Sequence, residues 1–287
     1  GTPEKFSARI GPQLVGLGLL EAIPEEAILA LADVNDEIAP FGISGKAQSA
    51  IDPLTQEVRL GRFGWKTATS SVKHQVSAAL NTDMGVMTSL LPSPDCGSAQ
   101  LARNECGNAQ QELSDEHLNN LTKYIALLGV RAQRGLDDPQ VQLGQALFSD
   151  IGCADCHTPT FQTSLYHPFS ELRDQTIHPY TDMLLHNMGE GLADNFGEGN
   201  ATGAEWRTTP LWGIGLSACV TGGVINPIGG QGNEICTPVH SYLHDGRART
   251  IDEAILWHGG ESTDSTNKYQ ALSDTDEAAL LSFLKSL

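Results

Sequence analysis

The residue types best suited to chemistry are concentrated in Cys153-Ala154-Asp155-Cys156-His157. This C-x-x-C-H run is the attachment signature of a c-type haem. Two thiols can add to the haem vinyl groups, and the two-residue gap lets a single helical turn present both sulfurs to one porphyrin edge. The histidine that follows then lies under the iron and supplies its proximal nitrogen. A zinc site would need a second Cys/His pair at matching spacing, and Cys96, Cys106, Cys219 and Cys236 are too widely separated to provide one. A thioredoxin-like dithiol would need a βαβ setting, which the sequence does not show. A structural disulfide is the plainest remaining alternative.

The group on the other face of the iron decides between electron transfer and open-site chemistry. Downstream candidates are Met183, His186, Met188, His240, His244 and His258. His258 has the strongest case. Thr250 is placed to cap a helix, with Glu253 completing a capping box. The helix that follows would align Ile251, Ile255 and His258 at i, i+4 and i+7. A histidine on an apolar face is ordinarily a satisfied core residue, but here an iron would need a partner. Met188, Met183 and His244 come next. Two histidine ligands would give a low potential and exclude peroxide, whereas His/Met ligation would give a higher one. Arg207, Arg247 and Arg249 could pair with haem propionates, because guanidinium forks suit carboxylates; surface salt bridges are the alternative.

The elements that must position these groups read as helices separated by long Gly-, Pro- and Asn-rich loops, so the expected fold is mostly α. Pro24 to Val34 has Glu25 and Glu26 near its positive end and Ile28 and Leu31 on one face. Ser70 to Leu80 is a second helix. Ser114 to Leu128 sets Leu118, Leu121, Ile125 and Leu128 at helical spacing behind a Ser114 cap. Asp137 to Phe148 leads into the haem motif, and Ser273 to Leu287 gathers Leu280, Phe283, Leu284 and Leu287. A helix just before C-x-x-C-H and another at the C-terminus is the layout of cytochrome c folds, in which the two pack together. A boundary near residue 135 divides an N-terminal region, 1–135, from a cytochrome c-like domain, 136–287. His74 and His117, on helices of the first region, read as surface or packing residues.

With 17 Lys+Arg against 35 Asp+Glu the formal charge is −18. That argues against nucleic acid or an anionic membrane as partner and suits a small cationic redox protein, or simply a solvated acidic surface. No stretch approaches the length of a transmembrane helix. The four cysteines outside the motif bracket two loops, so local pairing, Cys96–Cys106 and Cys219–Cys236, is the simplest connectivity. Disulfides together with covalent haem point to a periplasmic or otherwise extracytoplasmic protein. Gly1-Thr2-Pro3 opens directly on folded-looking sequence with no signal peptide, as in a mature or truncated chain.

Longer blocks carry a resemblance. Tyr180-Thr181-Asp182-Met183-Leu184-Leu185-His186-Asn187-Met188-Gly189, Glu205-Trp206-Arg207-Thr208-Thr209-Pro210-Leu211-Trp212-Gly213, and Tyr242-Leu243-His244-Asp245-Gly246-Arg247-Ala248 through Glu253 to Glu261 follow the haem motif in order. Together they resemble the di-haem oxidoreductase family sometimes labelled thiol oxidoreductase, which is related to bacterial di-haem cytochrome c peroxidases and to the MauG enzymes. The resemblance implies a distal ligand at His258, where peroxidases carry methionine and MauG-like proteins tyrosine. Gly61-Arg62-Phe63-Gly64-Trp65-Lys66 resembles the block that places an aromatic between two haems, which makes Trp65 a candidate electron relay; an ordinary core tryptophan is the alternative.

The chain departs from the family in having a single C-x-x-C-H. Gly11 to Ser44 resembles the segment that follows the first haem motif, so residues 1 to 135 read as the remainder of an N-terminal haem domain. On this reading the chain holds one haem c that transfers electrons and lacks the one at which peroxide reacts. A peroxidase or substrate-oxidising enzyme active only with the missing haem, and a haem-free structural or sensing module, are the alternatives. Asp33-Val34-Asn35-Asp36-Glu37 resembles the start of a calcium loop but lacks the glycine and glutamate of an EF-hand. Calcium is kept as a minor candidate because related di-haem proteins hold one between domains.

Overall fold

The computed structural model describes residues 6–33, 42–103, 105–222, 224–225, 235–236 and 238–287, the side chains of 98, 222, 224–225 and 235–236 excepted. Its helices run α1 Leu17–Glu21, α2 Glu25–Leu29, α3 Val72–Met84, α4 Ser98–Ala102, α5 Asp115–Ala126, α6 Pro139–Asp150, α7 Ile214–Gly222, α8 Ile251–Leu256, α9 Thr263–Gln270 and α10 Asp274–Ser286. The strands form two-residue and three-residue antiparallel pairs: β1 Ser49–Ile51 with β2 Val58–Leu60, β3 Phe161–Gln162 with β4 Thr176–Ile177, β5 Leu185–Asn187 with β6 Glu205–Arg207, and β7 Val224–Ile225 with β8 Ile235–Cys236. The mostly helical, loop-rich expectation holds.

Local sequence explains where the helices begin. The hydroxyls of Ser71, Ser114, Thr250 and Ser273 accept from the amides of His74, His117, Glu253 and Asp276, satisfying N–H groups that each first turn leaves open. Asp138 caps α6, whose first residue is Pro139. The ends are less regular. The helix expected over Pro24 to Val34 stops at Leu29, with Pro24 outside it in an extended conformation (ψ 139°). Four residues on, the Asp33 amide donates to the Ser44 and Gly45 carbonyls at 2.8 and 3.1 Å, which draws the chain away from the helix axis. Val34 to Glu37, and with them most of the calcium-like run, lie outside the described residues.

The two helices expected to pack do so. Gly144 of α6 lies against α10 so closely that a Cβ there would stand 2.0 Å from the Ala279 carbonyl oxygen. The absent side chain sets the approach of the two axes. One turn on, the Phe148 and Phe283 rings meet at 5.4 Å, and both lean on Tyr180, at 5.8 and 5.6 Å. Val141, Ile151, Ile251, Leu280 and Leu284 complete this core. A second core joins Leu20, Ile28, Phe63, Val72 and Leu118 to Phe161, Ile177, Met183, Leu184 and Trp212, so it draws on residues from both sides of position 135. Cys96 and Cys106 are disulfide-bonded, as local pairing predicts. Cys219 is also disulfide-bonded, and the side chain of Cys236 lies outside the described residues.

Candidate functional site

Helix α6 ends at Asp150, and Gly152, at φ 93°, turns the chain into a 3-10 segment, Cys153–Asp155. That single turn carries the sulfurs of Cys153 and Cys156, both free thiols. Burial pushes the Cys153 thiol up to about 12 and raises Cys156 as well, so neither is an activated nucleophile. His157 sits behind them against Phe148, ring centroids 6.2 Å apart. Its Nδ1 lies 2.8 Å from the Tyr180 carbonyl oxygen. A carbonyl only accepts, so Nδ1 carries the proton and Nε2 keeps a lone pair for a metal. Burial depresses this imidazole to about 4, leaving it neutral at physiological pH.

His258 repeats the pattern. Its Nδ1 donates to the Ala254 carbonyl at 2.7 Å, and burial again lowers its pKa. The ring is close enough to weigh electrostatically on His157. The route by which the chain places it differs from the expected helical stripe. Helix α8 closes at Leu256, and His258 follows in a tightened turn in which its amide reaches back to the Ile255 carbonyl. The loop is then held by Thr266, whose hydroxyl donates to the His258 carbonyl at 2.8 Å.

Between these histidines and the rest of the chain lies a buried ionic clasp that sequence reading did not identify. His186, on β5, donates from Nε2 to Asp182 at 2.7 Å and from Nδ1 to Glu261 at 2.9 Å, while the Cys156 sulfur lies 3.6 Å from the same Nδ1. Burial opposes its charge, yet the two carboxylates hold this imidazole well above its ordinary pKa. Glu261 is correspondingly driven down to about 2: burial works against the carboxylate, but bonds from His186, the Asn187 amide and the Ser44 amide outweigh it. Cys156, Asp182 and His186 bring sulfur, oxygen and nitrogen within 4.8 Å of one another, as a metal site would. Both ring nitrogens are already committed to carboxylates, so the group reads as a protonated clasp. His186 is thereby occupied as a distal candidate.

The other candidates are dispersed. Met183 is buried, with its sulfur 3.7 Å from Arg207, and Met188 is half-buried. His244 stacks on Trp206 at 3.7 Å, and burial lowers it to about 4. His240 is exposed. Trp65 donates from its indole to the Ile10 carbonyl at 2.7 Å and meets His244 edge-on at 6.3 Å, so Trp65, His244 and Trp206 form a continuous aromatic array. Lys66 closes it: its ammonium, fully buried, lies 3.7 Å from the Trp206 ring centre and donates to the Thr202 and Glu205 carbonyls, both at 2.8 Å. Arg207 is buried beside this array, bonded to the Gly64 carbonyl at 3.0 Å; burial lowers it to about 10, with Asp182 the anion that opposes the shift. Arg247 is committed to Asp245 at 2.7 Å and lies over Trp257 at 4.7 Å. Arg249 offers its amide to Glu253. His117 bonds to its cap Ser114, and His74 lies 3.4 Å from Ser70.

Paired free thiols, adjacent and neutral imidazoles, and a buried guanidinium make a donor set suited to an iron porphyrin held by thioethers. Residues 4–287 match the family described as "Di-haem oxidoreductase, putative peroxidase". The chain belongs to that family, which implies haem as cofactor. No curated protein sequence matches the chain. Among solved structures, a chain of hydrazine synthase from Kuenenia stuttgartiensis is similar at 15% identity and a TM-score of 0.42, over 100% of this chain and 97% of that one. A likeness at that level carries no argument about this chain's chemistry.

Proposed function

We propose that residues 136–287 form a c-type haem unit for one-electron transfer, with Cys153 and Cys156 as tethers, His157 as proximal ligand and His258 as distal ligand. The observation that carries this reading is the matched pair of half-buried imidazoles. Each spends Nδ1 on a backbone carbonyl and keeps Nε2 available, beside two unpaired thiols. The haem would supply an iron that cycles between two oxidation states. The chain's own contribution is orientation and exclusion. Tyr180 and Ala254 fix the two rings, Phe148, Tyr180 and Phe283 close the proximal side to water, and Arg207 offers a buried positive charge for a propionate. Arg247, already paired with Asp245, is the weaker partner for that role.

The Trp65–His244–Trp206 array supports a relay role for Trp65. Lys66 and Arg9 stand over Trp206, at 3.7 and 5.0 Å from its ring centre, and oppose a positive charge there, which leaves Trp65 the more readily oxidised of the two indoles. The acidic surface suits a small cationic redox protein as partner. The Cys96–Cys106 disulfide accords with an extracytoplasmic site, and no helix among the described residues is long and apolar enough to cross a membrane. A second reading, in which the electron unit serves a peroxide-reducing or substrate-oxidising centre at another haem, is favoured by the family itself.

The test is to produce the chain in a periplasm with haem-attachment machinery and to map its peptides by mass. One haem on the Cys153–His157 peptide, absent from the Cys153→Ser/Cys156→Ser variant, is the expected result. A folded chain with both thiols free under those conditions would overturn the reading.

A further inference from the structure

Glu261 lies three residues beyond His258, and its carboxylate accepts four hydrogen bonds from two separate segments, the Ser44 stretch and β5. Oε1 takes the Asn187 amide at 2.8 Å and the Ser44 hydroxyl at 3.0 Å; Oε2 takes the Ser44 amide at 3.0 Å and His186 Nδ1 at 2.9 Å. A carboxylate offers about four lone-pair directions, so this one is saturated. The loop between the two residues also rides on β5. Gly260, at φ 58°, comes so close that a Cβ would stand 2.1 Å from the Asn187 carbonyl oxygen, and a Cβ on Gly189 would meet the Gly260 amide at 2.9 Å. The distal loop and the Ser44 segment thus meet β5 at one side chain, and Cys156 reaches the same cluster only through His186, its sulfur 3.6 Å from Nδ1.

We propose that Glu261 is the positioning residue of the distal ligand: it clamps the His258 loop to β5 and to the Ser44 segment, and so governs whether His258 occupies the iron. The inference rests on His258 being the distal ligand. Thr266 holds the His258 carbonyl within the loop's own neighbourhood, whereas Glu261 alone among the described residues bonds that loop to both His186 and Ser44. Substitution by glutamine is disruptive for a definite reason. Each carboxylate oxygen faces an obligate backbone donor, the Asn187 amide on one side and the Ser44 amide on the other. Either orientation of the glutamine amide therefore turns its NH₂ toward an N–H. Aspartate keeps the acceptor pattern and shortens the reach by one methylene. Mutating groups that orient a metal ligand typically costs about ten- to a hundredfold in metal affinity or activity, which sets the scale expected here.

The haem-loaded full chain is compared as wild type, Glu261→Gln, Glu261→Asp, Ser44→Ala and His258→Ala, by oxidised-state spin-state spectra and by carbon monoxide binding to the reduced protein. The expected result is slow binding in the low-spin wild type and binding at least about tenfold faster in Glu261→Gln, with a high-spin component. Glu261→Asp should recover most of the wild-type behaviour, and Ser44→Ala should fall between. His258→Ala marks the fully open limit. If His258→Ala is high-spin and Glu261→Gln matches wild type in spectrum and rate, the clamp is overturned while the ligand assignment stands. If His258→Ala stays low-spin, the ligand assignment itself has failed. Should Glu261→Gln not fold, a Ser44→Ala protein that binds no faster than wild type overturns the clamp.

Discussion

Replacing Glu261 by glutamine should remove a defined share of the protein's resistance to acid. The carboxylate is only 13% exposed, so solvent screening leaves its interactions largely intact. Its pKa falls from 4.5 to about 2 on folding. That shift corresponds to roughly 3 kcal/mol of stability for the charged form. A carboxyl with a depressed folded pKa contributes fully above its unfolded value and loses the contribution as pH falls toward the folded one. The window is therefore pH 4.5 down to about 2, with less than half of the contribution remaining at pH 3. His186, held well above its ordinary pKa, stays protonated throughout this window and is not counted again. Urea unfolding of wild type and Glu261→Gln at closely spaced pH values from 6.5 to 3 gives the difference directly. The gap should be largest above about pH 5 and narrow steadily below pH 4.5 as the wild-type carboxylate takes up its proton. A gap that stays constant across that range would refute the saturated-carboxylate account, because the lost stability would then come from packing alone.

Lys66→Met should lower stability by about 2–5 kcal/mol in thermal melts, because it leaves the Thr202 and Glu205 carbonyls facing apolar atoms, while leaving haem content unchanged. Gly144→Ala should cost about 3 kcal/mol or more and reduce the yield of folded protein, since the new methyl meets the Ala279 backbone rather than a yielding side chain. Cys96→Ser/Cys106→Ser should cost at most about 3 kcal/mol, the loop entropy for a bridge spanning 10 residues in sequence, and should leave the haem spectrum unaltered.

The C-x-x-C-H run and helices α5, α6 and α10 were legible because their signals are local: two thiols and an imidazole in five residues, capping side chains, and apolar side chains at helical spacing. The packing of α6 on α10 followed from the same reading, although the small residue that permits it, Gly144, gave no signal of its own. His258 was nominated from an assumed continuous helix. Helix α8 in fact closes at Leu256 with Trp257 as its helical cap, and His258 follows in a tighter turn, its amide on the Ile255 carbonyl, just before two glycines. The clasp was not legible. Asp182 and His186 are four residues apart, but Glu261 lies 75 residues from His186 and 217 from Ser44, and no local pattern links them. Lys66 was missed for a related reason: a lysine in a short turn normally points to water, and only the fold puts carbonyls and the Trp206 face around it.

The most direct test of the central claim is the optical spectrum of the purified haem-loaded chain, oxidised and then dithionite-reduced, with and without carbon monoxide or peroxide. A low-spin oxidised spectrum and sharp reduced c-type bands, both little changed by the added ligands on mixing, are what ligation by His157 and His258 predicts. A high-spin spectrum that shifts at once with either ligand would contradict it, and would place open-site chemistry in this chain instead.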